Sequence, residues 1–176
     1  MDRSKIDGWF WDNEGAWYRK TTSEIHNGTI LEIGNHHGLS LSYIVGTCRK
    51  NNNTIYAIDC NNHPEFIMNL NQWNATSFVH FIQSDSSQSA ARFANHTFDL
   101  IFIDGDHSYR GVKADILAWK SKLKPSGILA GHDYQPGMWS EVCRAVDECL
   151  PHRQILPNSR IWYVIPPPIR LNCKIF

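Results

Sequence analysis

The chain has 176 residues, which is enough for one domain with a sizeable hydrophobic core and too few for two comfortable ones. Hydrophobic residues make up 42% and charged residues 19% of it, as in globular rather than disordered proteins. The 17 basic residues balance the 17 acidic ones, so the chain lacks the basic surplus of a nucleic-acid-binding protein. Five cysteines without a C-x-x-C pair give no zinc knuckle and no thioredoxin-like motif. A charged N-terminus and the lack of a long apolar run predict a cytoplasmic protein without a membrane span.

Apolar, strand-like runs alternate with helix-like segments along the chain. The first 28 residues are predicted to form a helical cap. Five predicted strands follow, each rich in β-branched or aromatic residues, at 29–34, 54–59, 78–83, 98–104 and from 127 to 130. Apolar residues at helical spacing predict a helix between 108 and 124 and another over 139–150. This alternation predicts a parallel sheet covered by helices on both faces.

The C-terminal part of the chain breaks the alternation. Runs at 154–157 and 161–165 lie too close together for a helical crossover, so a hairpin with an antiparallel edge strand is expected, ended by Pro166–Pro168. The sequence therefore predicts one α/β domain over residues 1–176. Its parts are the cap at 1–28, a doubly wound core at 29–150, and the C-terminal β-hairpin and tail at 151–176.

Glycines and polar residues follow the first three predicted strands, where a doubly wound sheet binds its ligands. The first strand leads into an E-x-G-x-x-x-G turn that begins at Glu32, and its glycines, Gly34 and Gly38, let the backbone approach a ligand closely. Asp59 ends the second strand, where an acid commonly accepts hydrogen bonds from ribose hydroxyls. Asp85 follows the third strand and either contacts a base edge or caps the next helix. In this order, these features predict a nucleoside pocket.

Acids and histidines follow the fourth and fifth predicted strands. The fourth runs into Asp104 and His107, and the fifth runs into His132 and Asp133. If these strands are neighbours about 4.8 Å apart, their side chains converge on one small volume. Asp104, His132 and Asp133 then offer two carboxylates and an imidazole to a divalent ion such as Mg²⁺, Mn²⁺ or Ca²⁺, while the imidazole also admits iron or zinc. Each side chain taken alone equally suits a helix cap or a loop contact.

His36 and His37 lie inside the glycine turn, and the sequence leaves open whether they contact a cofactor or are simply exposed. Asp115 is interpreted as a surface or helix residue. Tyr109, Tyr134 and Trp139 are expected to line an aromatic wall of the pocket.

Several motifs in the same order resemble those of a known family. They are L-E-I-G at 31–34, A-I-D at 57–59, D-G-D-H-S-Y at 104–109 and G-H-D-Y at 131–134. Over residues 8–150, the chain resembles the small class I S-adenosylmethionine-dependent methyltransferases that are grouped with cephalosporin hydroxylase-like and macrocin-type O-methyltransferases. The stretch 98–134 is the most specific part of the resemblance.

The resemblance implies a Rossmann-like, seven-stranded sheet of order 3-2-1-4-5-7-6 with strand 7 antiparallel. It implies S-adenosylmethionine as the cofactor, and it extends the cofactor-binding set to Glu32, Gly34, Asn35, Gly38, Ser40, Asp59, Asp85, Ser86 and Asp104. Catechol-type relatives bind a divalent metal through an Asp after strand four and an Asp–Asn or Asp–Asp pair after strand five. Those positions are Asp104, His132 and Asp133 here, and the histidine departs from the relatives' pattern.

The predicted function is methylation of an oxygen atom on a small molecule, assisted by Mg²⁺ or another divalent metal. Asp104 and His107 are the predicted catalytic residues, with His107 as general base or, alternatively, as a loop-stabilising hydrogen-bond partner. The expected partners are a small-molecule methyl acceptor and, as in many relatives, a second copy of the chain, with neither nucleic acid nor membrane. Two rival functions stay open: a non-catalytic S-adenosylmethionine-binding module, and a nicotinamide-dependent oxidoreductase, against which the missing G-x-G-x-x-G counts.

Overall fold

The computed structural model describes residues 2–165 and contains one seven-stranded sheet flanked by helices. The strands are β1 Thr29–Ile33, β2 Thr54–Asp59, β3 Val79–Gln83, β4 Phe98–Ile103, β5 Leu123–Gly131, β6 Gln154–Ile155 and β7 Trp162–Val164. The helices are α1 Asp12–Ser23, α2 Leu39–Ser42, α3 Val45–Lys50, α4 Pro64–Gln72, α5 Ser86–Ser89, α6 Tyr109–Trp119 and α7 Ser140–Cys149. Short 3₁₀ turns lie at Arg3–Lys5, Ala90–Arg92 and Lys120–Lys122.

The strand order is β3-β2-β1-β4-β5-β7-β6, which confirms the predicted fold. The five strands from β1 to β5 pair in parallel, whereas β7 runs antiparallel to both β5 and β6. The chain order reverses between β1 and β4, so a crevice forms beyond the carboxyl ends of these two strands. That crevice is where the glycine turn and the acidic loops meet.

The boundary between α6 and β5 differs from the sequence prediction. The helix predicted to reach residue 124 ends at Trp119, and Leu123 already belongs to β5, where it pairs with Phe98. Pro125 cannot continue a helix, and pairing with β4 supplies the backbone hydrogen bonds that a longer helix would have made. The apolar spacing of Leu123 therefore reflects burial beside the sheet rather than a further helical turn.

The hairpin β6–β7 packs its large side chain against the end of β5. Trp162 is 1% exposed, and its indole Nε1 donates a hydrogen bond to the carbonyl of His132 at 3.2 Å. Gly131 faces Trp162 so closely that a Cβ would overlap the indole ring, so the glycine permits this packing. The hairpin thereby fixes the loop that carries His132 and Asp133. The predicted end of the hairpin at Pro166–Pro168 lies outside the described residues.

Helix α1 lies within the segment that was predicted to be a helical cap. Tyr18 on α1 is fully buried and stacks on Phe102 of β4, with ring centroids 4.6 Å apart. Trp9 and Trp11, just before the helix, are 70% and 50% exposed. Between residues 2 and 165, no helix combines the length and the apolar character that crossing a membrane requires.

Candidate active site

A cavity of about 790 Å³ opens beyond the carboxyl ends of the central strands. This volume lies within the usual range of small-molecule sites. The predicted site residues that line it are Gly34, Asn35, Ser40, Asp59, Asp85, Ser86, Asp104, His107, His132 and Asp133. Glu32 and Gly38 lie outside the cavity lining. The fold thus gathers most of the sequence-predicted residues around one cavity, as the strand-end motifs indicated.

The turn after β1 requires a glycine at its first position. Gly34 has φ +81°, a left-handed conformation that side chains rarely adopt. A Cβ at this position would overlap the backbone carbonyl of Asp104 on the neighbouring strand. The backbones of the two strand ends therefore touch directly, which leaves the space in front of them to the cavity.

Glu32 stabilises this turn from the buried side, away from the cavity. Its fully buried carboxylate accepts hydrogen bonds from Tyr18 Oη at 2.9 Å, Ser40 Oγ at 2.7 Å and Asn35 Nδ2 at 3.2 Å. Burial raises the pKa of Glu32 to about 7, against the lowering effect of these donors. Glu32 therefore orients Ser40 and Asn35, which do line the cavity, while its predicted direct contact with the cofactor stays a prediction.

We expect Glu32→Gln to flatten the pH dependence of the unfolding free energy. The carboxyl titrates near 4.5 in the unfolded chain and near 7 in the folded one, so between these values only the folded state keeps the proton. The associated stability is full below the lower value and is lost as the pH rises through about 7, a loss on the order of 3 kcal/mol. Denaturant unfolding of both proteins at about pH 5 and about pH 8 measures the difference. If the unfolding free energy fell by the same amount between these pH values in the wild type and in Glu32→Gln, the prediction would be wrong.

Asp59 holds the same turn through its side chain. One carboxylate oxygen accepts backbone N–H bonds from Asn35 at 2.9 Å and His36 at 3.1 Å, and the other accepts one from Asn61 at 2.9 Å. Oδ1, which accepts a single bond, keeps further acceptor capacity. The structure thus gives Asp59 a turn-stabilising role, and ribose binding by Asp59 stays a prediction.

The loop after β3 combines a helix cap with the cavity wall. Asp85 accepts a hydrogen bond from the backbone N–H of Gln88 at 2.9 Å, so the capping alternative holds for this residue, which also lines the cavity. Ser86 Oγ donates to the carboxylate of Asp115. Asp115 lies on α6, which agrees with the helix alternative of its prediction, but it is 4% exposed and lines the cavity, so it is not a surface residue. Burial raises its pKa to about 6.

His107 and Asp133 form a direct pair at the other end of the cavity. His107 Nε2 lies 2.7 Å from Asp133 Oδ2, and the imidazole stacks on Trp139 with centroids 4.4 Å apart. Asp133 has φ +59°, a left-handed conformation that Asp and Asn tolerate better than most residues. The hydrogen bond to Asp133 raises the pKa of His107, although burial opposes the shift. The pair places a basic imidazole with a fixed ring orientation in the cavity wall.

His132 lies buried behind this pair, among three carboxylates. Its Nδ1 is 3.4 Å from both Asp104 Oδ1 and Asp133 Oδ1, and its Nε2 is 3.0 Å from Glu14 Oε2. Burial lowers the pKa of His132, but the surrounding carboxylates outweigh it and raise the pKa to about 11. A protonated imidazole has no free lone pair for a metal ion. The role of His132 as a metal ligand therefore stays a prediction, and its geometry suits a buried counter-charge.

Glu14 and Arg160 complete the buried network, and sequence reasoning missed both. Glu14 is fully buried and accepts hydrogen bonds from the backbone N–H of Arg160 at 2.9 Å and of Trp11 at 2.7 Å. Arg160 Nη1 lies 3.5 Å from Asp133 Oδ1. Burial alone would raise the pKa of Glu14. His132 and the two backbone donors outweigh burial and lower the pKa to about 2. The network thereby links the N-terminal segment and the hairpin to the loop after β5.

The predicted aromatic wall is only partly present. Trp139 lines the cavity, but Tyr109 and Tyr134 do not, because their hydroxyls bond to Glu148 and Asp147 on α7. Phe10 and Trp9 of the N-terminal segment line the cavity instead. These two positions lie far from the strand-end motifs in the sequence, and no spacing pattern marks them.

The residues present fit both of the groups that the resemblance implies. Asn35 Oδ1 is buried without a hydrogen-bond partner among residues 2–165, and Asn35 lines the cavity, so a polar ligand would satisfy it. At the other end, Asp104, His107 and Asp133 offer ligand atoms within 4.8 Å of one another. Two carboxylates and one imidazole suit a divalent cation. The structure thus brings His107, rather than His132, into the candidate metal group.

Several known proteins have a similar sequence or the same fold. A protein of Sinorhizobium fredii is 24% identical over 143 residues, and the match covers 70% of this chain and 16% of that protein. The chain therefore spans 16% of the length of this curated relative. A Corynebacterium glutamicum protein of known structure superimposes with a TM-score of 0.76 at 20% identity, over 91% of this chain and 82% of its own.

The structure titled SAM-dependent O-methyltransferase from Thermotoga maritima superimposes with a TM-score of 0.71 at 13% identity, over 92% of this chain and 68% of its own. At these identities the likeness shows the fold. The family model described as a methyltransferase domain matches residues 31–134, which hold the glycine turn, Asp59, Asp104 and His132–Asp133. The chain therefore belongs to the methyltransferase domain family and has the fold of the class I S-adenosylmethionine-dependent methyltransferases.

Proposed function

We propose that the chain methylates a hydroxyl oxygen of a small-molecule acceptor, with His107 as the general base. The His107–Asp133 pair in the cavity wall carries this proposal. A hydroxyl must lose its proton as the new bond forms, and the hydrogen bond to Asp133, which raises the pKa of His107, makes the imidazole a stronger base for that proton. The T. maritima protein of the same fold, titled an O-methyltransferase, supports an oxygen acceptor.

The residues at the two ends of the cavity have different roles in this proposal. Asn35, Ser40 and the turn at Gly34 would bind and orient the cofactor, and Asp59, Asp85 and Ser86 would hold its nucleoside part. S-adenosylmethionine supplies a methyl group that its sulfonium already activates, so the protein contributes mainly positioning. Asp133 keeps one His107 nitrogen engaged at 2.7 Å, which leaves the other nitrogen to accept the acceptor's proton. Trp139 stacks on His107 and restricts its ring.

A divalent ion is a second candidate at the same place. Asp104 and Asp133 would hold it together with His107, whose ligand atom lies within 4.8 Å of theirs, or with His132 as the sequence predicts. Such an ion lowers the pKa of a bound hydroxyl. In that case His107 serves as a ligand rather than as a base, and activity depends on the ion.

Replacement of His107 by Gln tests the general-base proposal. With acceptor panels of sugars and phenols and methyl-labelled cofactor, we expect kcat to fall by about 10²–10⁴-fold, the usual contribution of a general base. The affinity for S-adenosylhomocysteine should stay within about threefold, because His107 lies at the acceptor end. The wild-type rate should persist in EDTA.

Each contrary outcome separates one alternative. If EDTA abolished the wild-type rate and Mg²⁺ restored it, His107 would be a metal ligand rather than the general base. If His107→Gln turned over at the wild-type rate, His107 would have no catalytic role. Tight cofactor binding without transfer to any acceptor, with or without Mg²⁺, would favour a non-catalytic binding module.

A further inference from the structure

A second cluster of metal-binding side chains lies at the rim of the cofactor cavity. Among residues 2–165, His36, His37 and His63 each offer an imidazole nitrogen, and these nitrogens lie within 4.8 Å of one another. The rings of His36 and His37 stack with centroids 3.9 Å apart at 8°, and His63 meets them edge-on at 4.9 and 5.5 Å. The methyltransferase chemistry proposed above uses none of these side chains.

We propose that His36, His37 and His63 form a binding site for a transition-metal ion of the Zn²⁺ class. Three imidazoles suit Zn²⁺, Cu²⁺ or Ni²⁺ and disfavour Mg²⁺ and Ca²⁺, which prefer oxygen ligands. Bonds of about 2.0–2.1 Å to one tetrahedral ion place its nitrogen ligands roughly 3.4 Å apart. The three nitrogens already lie within 4.8 Å of one another, so each has only a short distance to move toward a shared ion.

The backbone around the three histidines is well anchored. His36 N–H donates to Asp59 Oδ2 at 3.1 Å, and the carbonyl of His37 accepts a hydrogen bond from Asn69 Nδ2 at 2.9 Å. His63 precedes Pro64 at the start of α4, and its carbonyl accepts from Phe66 N–H at 3.0 Å. The two loops that carry the histidines are thus anchored by hydrogen bonds. Binding an ion therefore costs less conformational entropy than it would in a flexible loop.

Two carboxylates complement the charge of a bound cation. Glu65 Oε2 lies 3.7 Å from His37 Nε2, and Asp59 Oδ1 lies 4.0 Å from His63 Nε2. Carboxylates next to ligating imidazoles orient the rings and strengthen their donation. His36 and His63 also line the cofactor cavity, so the proposed site lies at the rim of that cavity. The proposed site is separate from the Asp104 group and does not depend on the acceptor chemistry.

Titration with Zn²⁺ and with Co²⁺ as a spectroscopic probe tests this proposal. Calorimetry on the wild type should give one Zn²⁺ site that His37→Asn and His63→Asn each weaken at least about tenfold. The visible Co²⁺ absorption of a nitrogen-rich tetrahedral site should disappear in both variants. Two independent variants, each checked by circular dichroism melting, separate loss of the ion from loss of the fold.

His26→Asn is the matched control, because His26 is exposed and lies outside the cluster. It should bind both ions as the wild type does, and so should Asp104→Asn, which disrupts the other candidate group. Wild-type affinity in the His37 and His63 variants would overturn the proposal. Loss of Zn²⁺ binding in Asp104→Asn would overturn it as well, since the ion would then belong to that group. Neither result bears on whether the protein transfers methyl groups.

Discussion

The Gly34→Ala variant is expected to lose cofactor binding and much of its stability. The added Cβ would overlap the backbone carbonyl of Asp104, and neither strand end can shift without disturbing the pairing of β1 with β4. The left-handed φ of +81° adds strain for any side chain. Together these effects should cost on the order of 3 kcal/mol or more. Denaturant unfolding and calorimetric titration with S-adenosylhomocysteine measure both consequences.

Gly46→Ala is the matched control for this variant. Gly46 lies on α3, is exposed, and a Cβ there would meet nothing within 4 Å. Alanine favours the helix, so stability should stay the same or rise by up to about 1 kcal/mol, with cofactor affinity unchanged. Cofactor binding by Gly34→Ala at wild-type strength would show that the tight turn does not shape the cavity.

Glu14→Gln is expected to have the largest effect on stability outside the glycine turn. The substitution removes one negative charge from a fully buried carboxylate that faces both His132 and Arg160. Removal of one partner from a buried ion pair typically costs about 3–5 kcal/mol, because the remaining charge is left uncompensated. In a domain of this size the melting temperature should fall by roughly 10 °C. Thermal unfolding followed by circular dichroism measures the change.

The same replacement at an exposed acid provides the control. Glu24 follows α1 at the surface, and Glu24→Gln should leave stability within about 0.5 kcal/mol of the wild type. A Glu14→Gln variant as stable as Glu24→Gln would mean that the buried network contributes little net free energy. Because Asp133 belongs to the network, we also expect Glu14→Gln to lower turnover more than cofactor affinity.

The fold was largely predictable because its strands are marked locally. β1, β2 and β4 lie in the middle of a parallel sheet, and burial on both faces makes them continuous apolar runs that end in glycine or acid. The extent of β5 was not predictable in the same way. Leu123 satisfies the spacing of α6 and the pairing of β5 equally well, and only the partner strand decides between them.

The cofactor end of the site was predictable for a related reason. Its residues follow strand ends in chain order, so topology alone brings Gly34, Asp59 and Asp85 to one cavity. The buried charges at the other end could not be predicted. Glu14 and Arg160 meet across 146 residues of sequence, and neither lies in a recognisable motif. Glu14 lies 3.0 Å from His132 Nε2, so the network gives His132 the surroundings of a buried counter-charge, while its predicted role as a metal ligand stays a prediction.

Calorimetric titration of the wild-type protein with S-adenosylhomocysteine, with NAD⁺ titrated in parallel, tests most directly whether the cavity binds a methyltransferase cofactor. We expect one S-adenosylhomocysteine site per chain, no saturable heat from NAD⁺, and loss of the S-adenosylhomocysteine signal in Gly34→Ala but not in Gly46→Ala. Saturable NAD⁺ binding together with no response to S-adenosylhomocysteine would contradict the assignment of this cavity to a methyltransferase cofactor.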